Sequence, residues 1–160
     1  MEELELEDRW ILDGLNQAIR AVNKGLEAYT PAAAISAARE FFWGSLCDWY
    51  LELIKPRLLQ PESESARVAR QVLAYCLDQV LRLLHTFLPF VTEHLWQLLG
   101  AQVPRRGLGL ARAPQSDQLI NAAWPRVVPG LDDVALRLTF ADLQEITRAV
   151  REIRAAKGLP

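Results

Sequence analysis

The chain has 160 residues, 51% of them apolar, with 20 acidic and 18 basic side chains and a formal net charge of −2. That is apolar material for one sizeable core in one compact domain, 1–160. The near balance of charge excludes the strongly basic footprint of a dedicated nucleic-acid binder, so any RNA site has to be local. The most apolar run, Leu81 to Val91, is interrupted by Arg82 and His85 and falls short of the roughly 20 apolar residues of a membrane span. The acidic start MEELELEDRW lacks the basic and apolar segments of a secretory leader, so a soluble, cytoplasmic chain is expected.

From Leu4 to Ala28, Leu12, Leu15, Ile19, Val22 and Leu26 follow steps of three and four among polar residues, which predicts an amphipathic helix. Thr30-Pro31 starts a second: threonine can cap free backbone amides, and proline fits the first turn. This helix is predicted over Ala32 to Ile54 and stopped by Lys55-Pro56, because the residue before a proline avoids helical geometry. A third runs from Ala66 to Thr86, and Pro89 opens a fourth that carries Leu95, Trp96 and Leu99 as far as Gly100. Residues 101–138 hold Pro104, Gly107, Gly109, Pro114, Pro125, Pro129 and Gly130 and read as one long connection. The last helix, 139–157, begins near Thr139 or Asp142 and carries Leu143, Ile146, Val150 and Ile153. No segment alternates like a strand, and no period repeats. The fold class is all-α, an antiparallel bundle of about five helices.

Several strings stand in a telling order: DRWIL from Asp8, LN at Leu15-Asn16, FFW followed by CDWYLE from Cys47, and KPRL from Lys55. LDQVLRLLHTFLPFVTEHLWQLL from Leu77, Trp124-Pro125 and LQEITRAVREIRA from Leu143 follow. Together they resemble the anticodon-binding bundle of class I aminoacyl-tRNA synthetases, in the valine branch more than the isoleucine or leucine branches. The resemblance implies recognition of a tRNA anticodon stem-loop, with valine tRNA and the catalytic domain of the same parent chain as partners. It places ATP and the chemistry in that catalytic domain: no HIGH, KMSKS, GxGxxG or P-loop string occurs here, so no catalytic residue and no cofactor are expected in this fragment. Such enzymes commonly continue beyond their last arginine-rich helix, which suggests an excised piece. Two departures loosen the transfer: Leu46 stands where a phenylalanine is expected, and Asp13-Gly14 where a serine and a basic residue are common.

Arg148, Arg151 and Arg154 recur every three residues and so lie about 60° apart on one stripe of the final helix, able to neutralise phosphates; a solvated face is the bland alternative. Aromatic rings beside cations form a second candidate surface, Trp43 with Arg39, and Trp49 or Tyr50 with Lys55 and Arg57, because unpaired bases stack on such planes. Phe42, Leu46, Trp49 and Leu53 share helical spacing, which predicts a buried Trp49 and leaves Trp43 off the stripe. On the first helix Arg9, Arg20 and Lys24 make a sparser track. Lys24 joins the tRNA-binding set, while capping competes with phosphate binding at Lys55 and Arg57. Arg105, Arg106 and Arg112 read as a flexible basic arm.

His85 and His94 lack the partners of a metal or acid–base site, and Cys47 and Cys76 lack CxxC spacing, so no metal is expected and the cysteines read as reduced core residues. Asp48, beside Trp49, reads as a buried hydrogen-bond partner that fixes helix packing. The reading from another class is a helical protein-interaction module that binds no RNA. It would show little of the salt dependence that RNA binding requires.

Overall fold

The computed structural model describes residues 4–108 and 116–158. Five helices account for the regular structure among them, and α1 is Leu6–Glu27. The segments Pro31–Glu40, Phe41–Tyr50 and Leu51–Leu58 join end to end as one continuous helix, α2. Next come α3, Glu64–His85, then α4, Pro89–Gln102, a single 3₁₀ turn at Leu119–Asn121, and α5, Val134–Ala156. α1 packs on α2 and α3, α3 on α4, and α5 on α1.

The ends of the helices follow from local chemistry. The Glu5 amide donates to Asp8 Oδ2 at 3.1 Å at the start of α1, Ser63 Oγ accepts from the Ala66 amide at 3.1 Å in α3, and Asp133 Oδ1 accepts from the Leu136 amide at 3.0 Å in α5. α5 therefore begins at Val134, several residues before the predicted Thr139, because Asp133 is the residue that satisfies its first amides. Thr30 behaves differently from expectation. Its hydroxyl turns back to the Gly25 carbonyl at 3.0 Å in the last turn of α1 and caps no amide of α2; only its own carbonyl accepts, from Ala33 and Ala34. The α1–α2 turn is tight: Tyr29 takes a positive φ of 54°, and a side chain on Gly25 would place its Cβ 2.9 Å from the Ala34 nitrogen. Only glycine lets the two helices cross this closely.

α2 departs most from the sequence reading. Between Phe41 and Tyr50 it is wound as a π-helix, with the Leu51 amide donating to the Leu46 carbonyl five residues back. Its fully buried positions are Ala34, Ala38, Phe41, Leu46, Tyr50 and Ile54, and the step of five from Phe41 to Leu46 lies in the wide turns. The widening rotates the predicted stripe: Phe42 and Trp49 are only partly buried, Tyr50 takes the core place, and Asp48, expected inside, is exposed. Nor does Lys55-Pro56 stop the helix, which runs on to Leu58. Proline removes one backbone donor and crowds the carbonyl a turn back. Here Glu52 and Pro56 lie on the solvent side, where water can serve that carbonyl.

Ile11, Leu12, Leu15, Ile19 and Val22 of α1 meet Val72, Val80 and Leu83 of α3 in the main core, which also encloses the thiol of Cys76, unpaired like the partly buried Cys47. Burial pushes the Cys76 thiol well above its ordinary range. At the base of this core a polar cluster joins three helices. Asp8, fully buried, accepts from Tyr50 Oη at 2.7 Å and from Arg57 through both oxygens at 2.9 Å. Arg57 also reaches Glu7 at 2.9 Å and the Ser65 carbonyl at 2.8 Å. Burial and the Asp8 carboxylate push the Tyr50 phenol far above its usual value. Arg57 resists the same burial because Asp8 and Glu7 hold its charge.

The connection after α4 returns across the polar side of α1. Asn16 pairs with the backbone of Val128 in both directions at 2.9 and 3.0 Å, Trp124 Nε1 donates to Asn23 Oδ1 at 2.8 Å, and the Asp133 amide donates to Asp13 Oδ1 at 3.0 Å. Arg106, expected in a flexible arm, is instead buried over the Trp96 ring with 4.0 Å to its centroid. Its neighbour Arg105 is exposed, and Arg112 lies outside the described residues.

Truncating Arg57 strands a buried carboxylate, so Arg57→Ala is expected to lower stability by about 3–5 kcal/mol. Tyr50→Phe removes one hydrogen bond and is expected to cost about 1–2 kcal/mol. Urea unfolding of the two variants checks both values, and equal, small effects would show that Asp8 is not the anchor.

Candidate nucleic-acid interface

α5 is held by its first half and exposed along its second. Arg9 Nη2 meets Asp133 Oδ2 at 2.7 Å, Arg20 grips both oxygens of Asp132 at 2.7 Å, and Arg137 lies 3.5 Å from the buried Asp13. Trp10 stacks on Phe140 with centroids 4.7 Å apart and planes 10° from parallel. Arg9 and Arg20, two of the three cations on the first-helix track, thus have intramolecular partners. Asp13, where the resemblance suggested a serine, is the acid that receives both Arg137 and the entry to α5.

Beyond Phe140, Arg148, Arg151 and Arg154 are exposed. The Arg151 guanidinium carbon sits over the Trp49 ring, 5.9 Å from its centroid, so the last helix meets the π-wound part of α2 through a cation and an indole face. Trp49 is half-buried and keeps ring surface at that junction. Glu52 and Lys55 follow Trp49 at steps of three on the same helix, and Lys55 Nζ is bound to Glu52 Oε1 at 2.6 Å. Its charge is already shared, although 64% of its side chain stays exposed.

The remaining predicted site residues lie elsewhere. Arg57, expected as a surface cation beside the proline, has only 8% of its side chain exposed and is held by Asp8, Glu7 and Ser65, which removes it from any binding surface. Arg39 and Trp43 edge a different face, an open apolar groove between α2, α3 and α4 lined by Leu77, Leu84, Leu88 and Leu95. Trp43 is 58% exposed there. Lys24 is exposed in the last turn of α1. Arg57 grips the other end of that helix, 16 residues away, which at 1.5 Å per residue is about 24 Å. The eight predicted residues therefore do not make one surface. The structure brings Arg151 to Trp49, with Arg148 and Arg154 three residues to either side on the exposed half of α5 and Lys55 six residues beyond Trp49 on α2, whereas Arg39 and Trp43 edge the separate groove and Lys24 lies at the far end of α1. The sequence offers Trp49 beside Lys55 and Arg57 as a stacking surface but places it in the core by its spacing, because its partial exposure depends on the π winding.

His85 Nδ1 lies 2.8 Å from Thr92 Oγ1 and links the end of α3 to the start of α4, while His94 is exposed. Among the described residues no three His, Cys, Asp or Glu side chains are grouped to hold a metal ion, and no helix is long and apolar enough to cross a membrane.

Residues 8–160 match the family described as the anticodon-binding domain of tRNA ligase. The chain belongs to that family. It is similar to the valine–tRNA ligases of Synechocystis sp. (42% identical over 163 residues), Anoxybacillus flavithermus (39% over 158) and Fervidobacterium nodosum (36% over 160). These matches cover 99%, 99% and 100% of this chain but only 17% of each relative's length. The chain thus spans about one sixth of the length of the ligases it matches, and the regular structure among its described residues is helical.

The Arg20 bond holds Asp132 below the ordinary carboxylate range. A depressed carboxylate stabilises above its unfolded value and loses that contribution as pH falls through its folded one. The attachment of α5 is thus expected to loosen at acid pH, below the usual aspartate range. Amide exchange in α5 followed across pH 3–6, in wild type and Asp132→Asn, checks this: the variant should exchange faster near pH 6 and converge with wild type in acid.

Proposed function

We propose that the chain binds the anticodon stem-loop of valine tRNA as part of a cytoplasmic, ATP-dependent valine–tRNA ligase. The observation that carries this reading is the arginine stripe on the exposed half of α5, with Arg151 over the half-buried Trp49. Backbone phosphates of a folded RNA loop need several cations in register, and unstacked bases need a flat ring or guanidinium. Around Trp49 the domain offers both, in a chain whose overall charge gives no general attraction for RNA. The family match supports the anticodon loop as the RNA element, and the names of the relatives support valine as the amino acid. ATP and the activation chemistry belong to the rest of such a ligase. The contribution of this part is to hold the anticodon end so that the acceptor end is oriented at a distant site, which is catalysis by positioning.

The alternatives differ in measurable ways. An isoleucine or leucine enzyme would prefer its own tRNA, and a partner helix seated in the groove beside Trp43 would bind with little dependence on salt.

Titrating the chain with valine tRNA, isoleucine tRNA and a valine anticodon stem-loop at two salt concentrations tests the reading. Preference for the valine anticodon with a steep salt slope is expected. Arg148→Ala, Arg151→Ala and Arg154→Ala should each flatten that slope by about one, whereas Lys24→Ala should leave it unchanged. A folded chain that binds no RNA even at low salt would overturn it.

A further inference from the structure

Between α3, α4 and the connection lies a buried cluster whose charges do not balance. Asp78, Arg82 and Arg106 have exposures of 1%, 4% and 5%. The carboxylate belongs to Arg82: Nε donates to Asp78 Oδ1 at 2.7 Å, with Gln79 Nε2 on the same oxygen at 2.8 Å, and Nη1 is satisfied by the Ala123 carbonyl at 2.8 Å. Arg106 comes no closer to Asp78 than 3.6 Å, beyond hydrogen-bond reach, and its Nε and Nη1 have no partner. Both guanidiniums lie against Trp96, Arg106 at 4.0 Å and Arg82 at 4.8 Å from its ring centroid, an attraction that supplies no acceptor for the unpaired N–H groups of Arg106.

One buried carboxylate thus faces two permanent cations, and Arg106 keeps two buried N–H groups without an acceptor, both costly in an interior. The sequence offers no further acid to correct this: from His94 to Ser116 there is none. Glu93 is committed to Gln97 and to the Leu119 amide, and Asp117 is exposed. Arg106 forms a wall of a cleft that also takes in Gln97, Gly100, Ser116 and Asp117. Its Nη2 lies beside Gly100, 3.6 Å from where a Cβ would stand, so this edge of the guanidinium borders the cleft next to a residue with no side chain. Trp96 Nε1 donates to the Ser116 carbonyl at 3.0 Å and fixes the indole that backs the arginine.

We propose that this cleft is an anion site in which Arg106 binds a phosphate group, either free phosphate or a phosphate of an RNA backbone. The under-paired Arg106 draws the anion against the Asp117 carboxylate at the cleft's exposed side, the Trp96 stack presents the guanidinium in one orientation, and Gly100 leaves the approach open. The site is distinct from the arginines of α5 and does not depend on anticodon reading.

The test follows the arginine Nε–H resonances of the whole chain by NMR, at constant ionic strength set with chloride. Inorganic phosphate and, separately, a valine anticodon stem-loop are titrated. A saturable shift of the Arg106 resonance is expected with phosphate. If RNA is the source, the stem-loop gives the same shift and phosphate competes with it; if the source is free phosphate, the stem-loop leaves the resonance unmoved. Arg106→Gln should weaken phosphate binding about tenfold or more, as loss of a charged hydrogen bond requires. Gly100→Leu keeps every charge, covers the Nη2 edge and should abolish the shift, which keeps the test open if the arginine variant folds poorly. No saturable shift of Arg106 in the wild-type chain with either probe would overturn the proposal.

Discussion

The bundle depends on one buried carboxylate. Asp8 has no contact with water, and it is held in place by Tyr50 from the middle of α2 and by Arg57 from its end, while Arg57 continues to the Ser65 carbonyl in the first turn of α3. Three helices are thereby fixed to one point. Replacing such a cluster by well-packed apolar residues can leave a protein as stable or more so, whereas removing a single member strands a charge. Its value lies in specificity: alternative packings of apolar helices are close in energy, and only the arrangement that brings Tyr50 and Arg57 to Asp8 avoids burying an orphaned anion.

α1 then serves two structures at once. Its apolar side builds the core, and its polar side, through Asp13, Asn16, Arg20 and Asn23, binds the connection and the start of α5. Without those bonds the backbone of Val128 and the Asp133 amide would lose the side-chain partners that α1 gives them. Arg151 reaches Trp49 because Asp132, Asp133 and the Trp10–Phe140 stack set the direction in which α5 leaves α1. The proposed RNA surface is thus built from residues far apart in sequence and positioned by intramolecular pairs at the other end of α5.

Much of this was legible in the residues. Clean three- and four-residue spacing in α1 and α3 gave helices close to their observed limits, and Pro89 marked the start of α4. Trp124-Pro125, which the sequence shows as one string of the resemblance, returns onto the bundle, with Pro125 buried. α2 was misread because FFWGSLCDWYLELI is apolar on nearly every side, so periodicity cannot select between a stripe through Phe42 and Trp49 and one through Phe41 and Tyr50. The choice is made by Asp8, forty-two residues from Tyr50, a pairing that no local pattern contains. Arg57 was misassigned for the same reason: a cation beside a proline looks like a helix end until its acidic partners on α1 are known. Arg106 was read as mobile from the prolines and glycines around it, and only the tertiary position of Trp96 contradicts that.

The wide turns of α2 also bear on how this chain tolerates changes in length. Deleting a residue from an ordinary helix turns everything beyond it by 100°, as one residue in 3.6 per turn requires, and would carry the core face of α1 or α3 into solvent. Between Phe41 and Tyr50 the helix holds surplus length, so a deletion there can be absorbed by tightening from five-residue to four-residue hydrogen bonding while Ala34 and Tyr50 keep facing inward. The segment that presents Trp49 is therefore the part of the bundle whose length the core constrains least, and the aromatic surface can be re-aimed there without dismantling the interior.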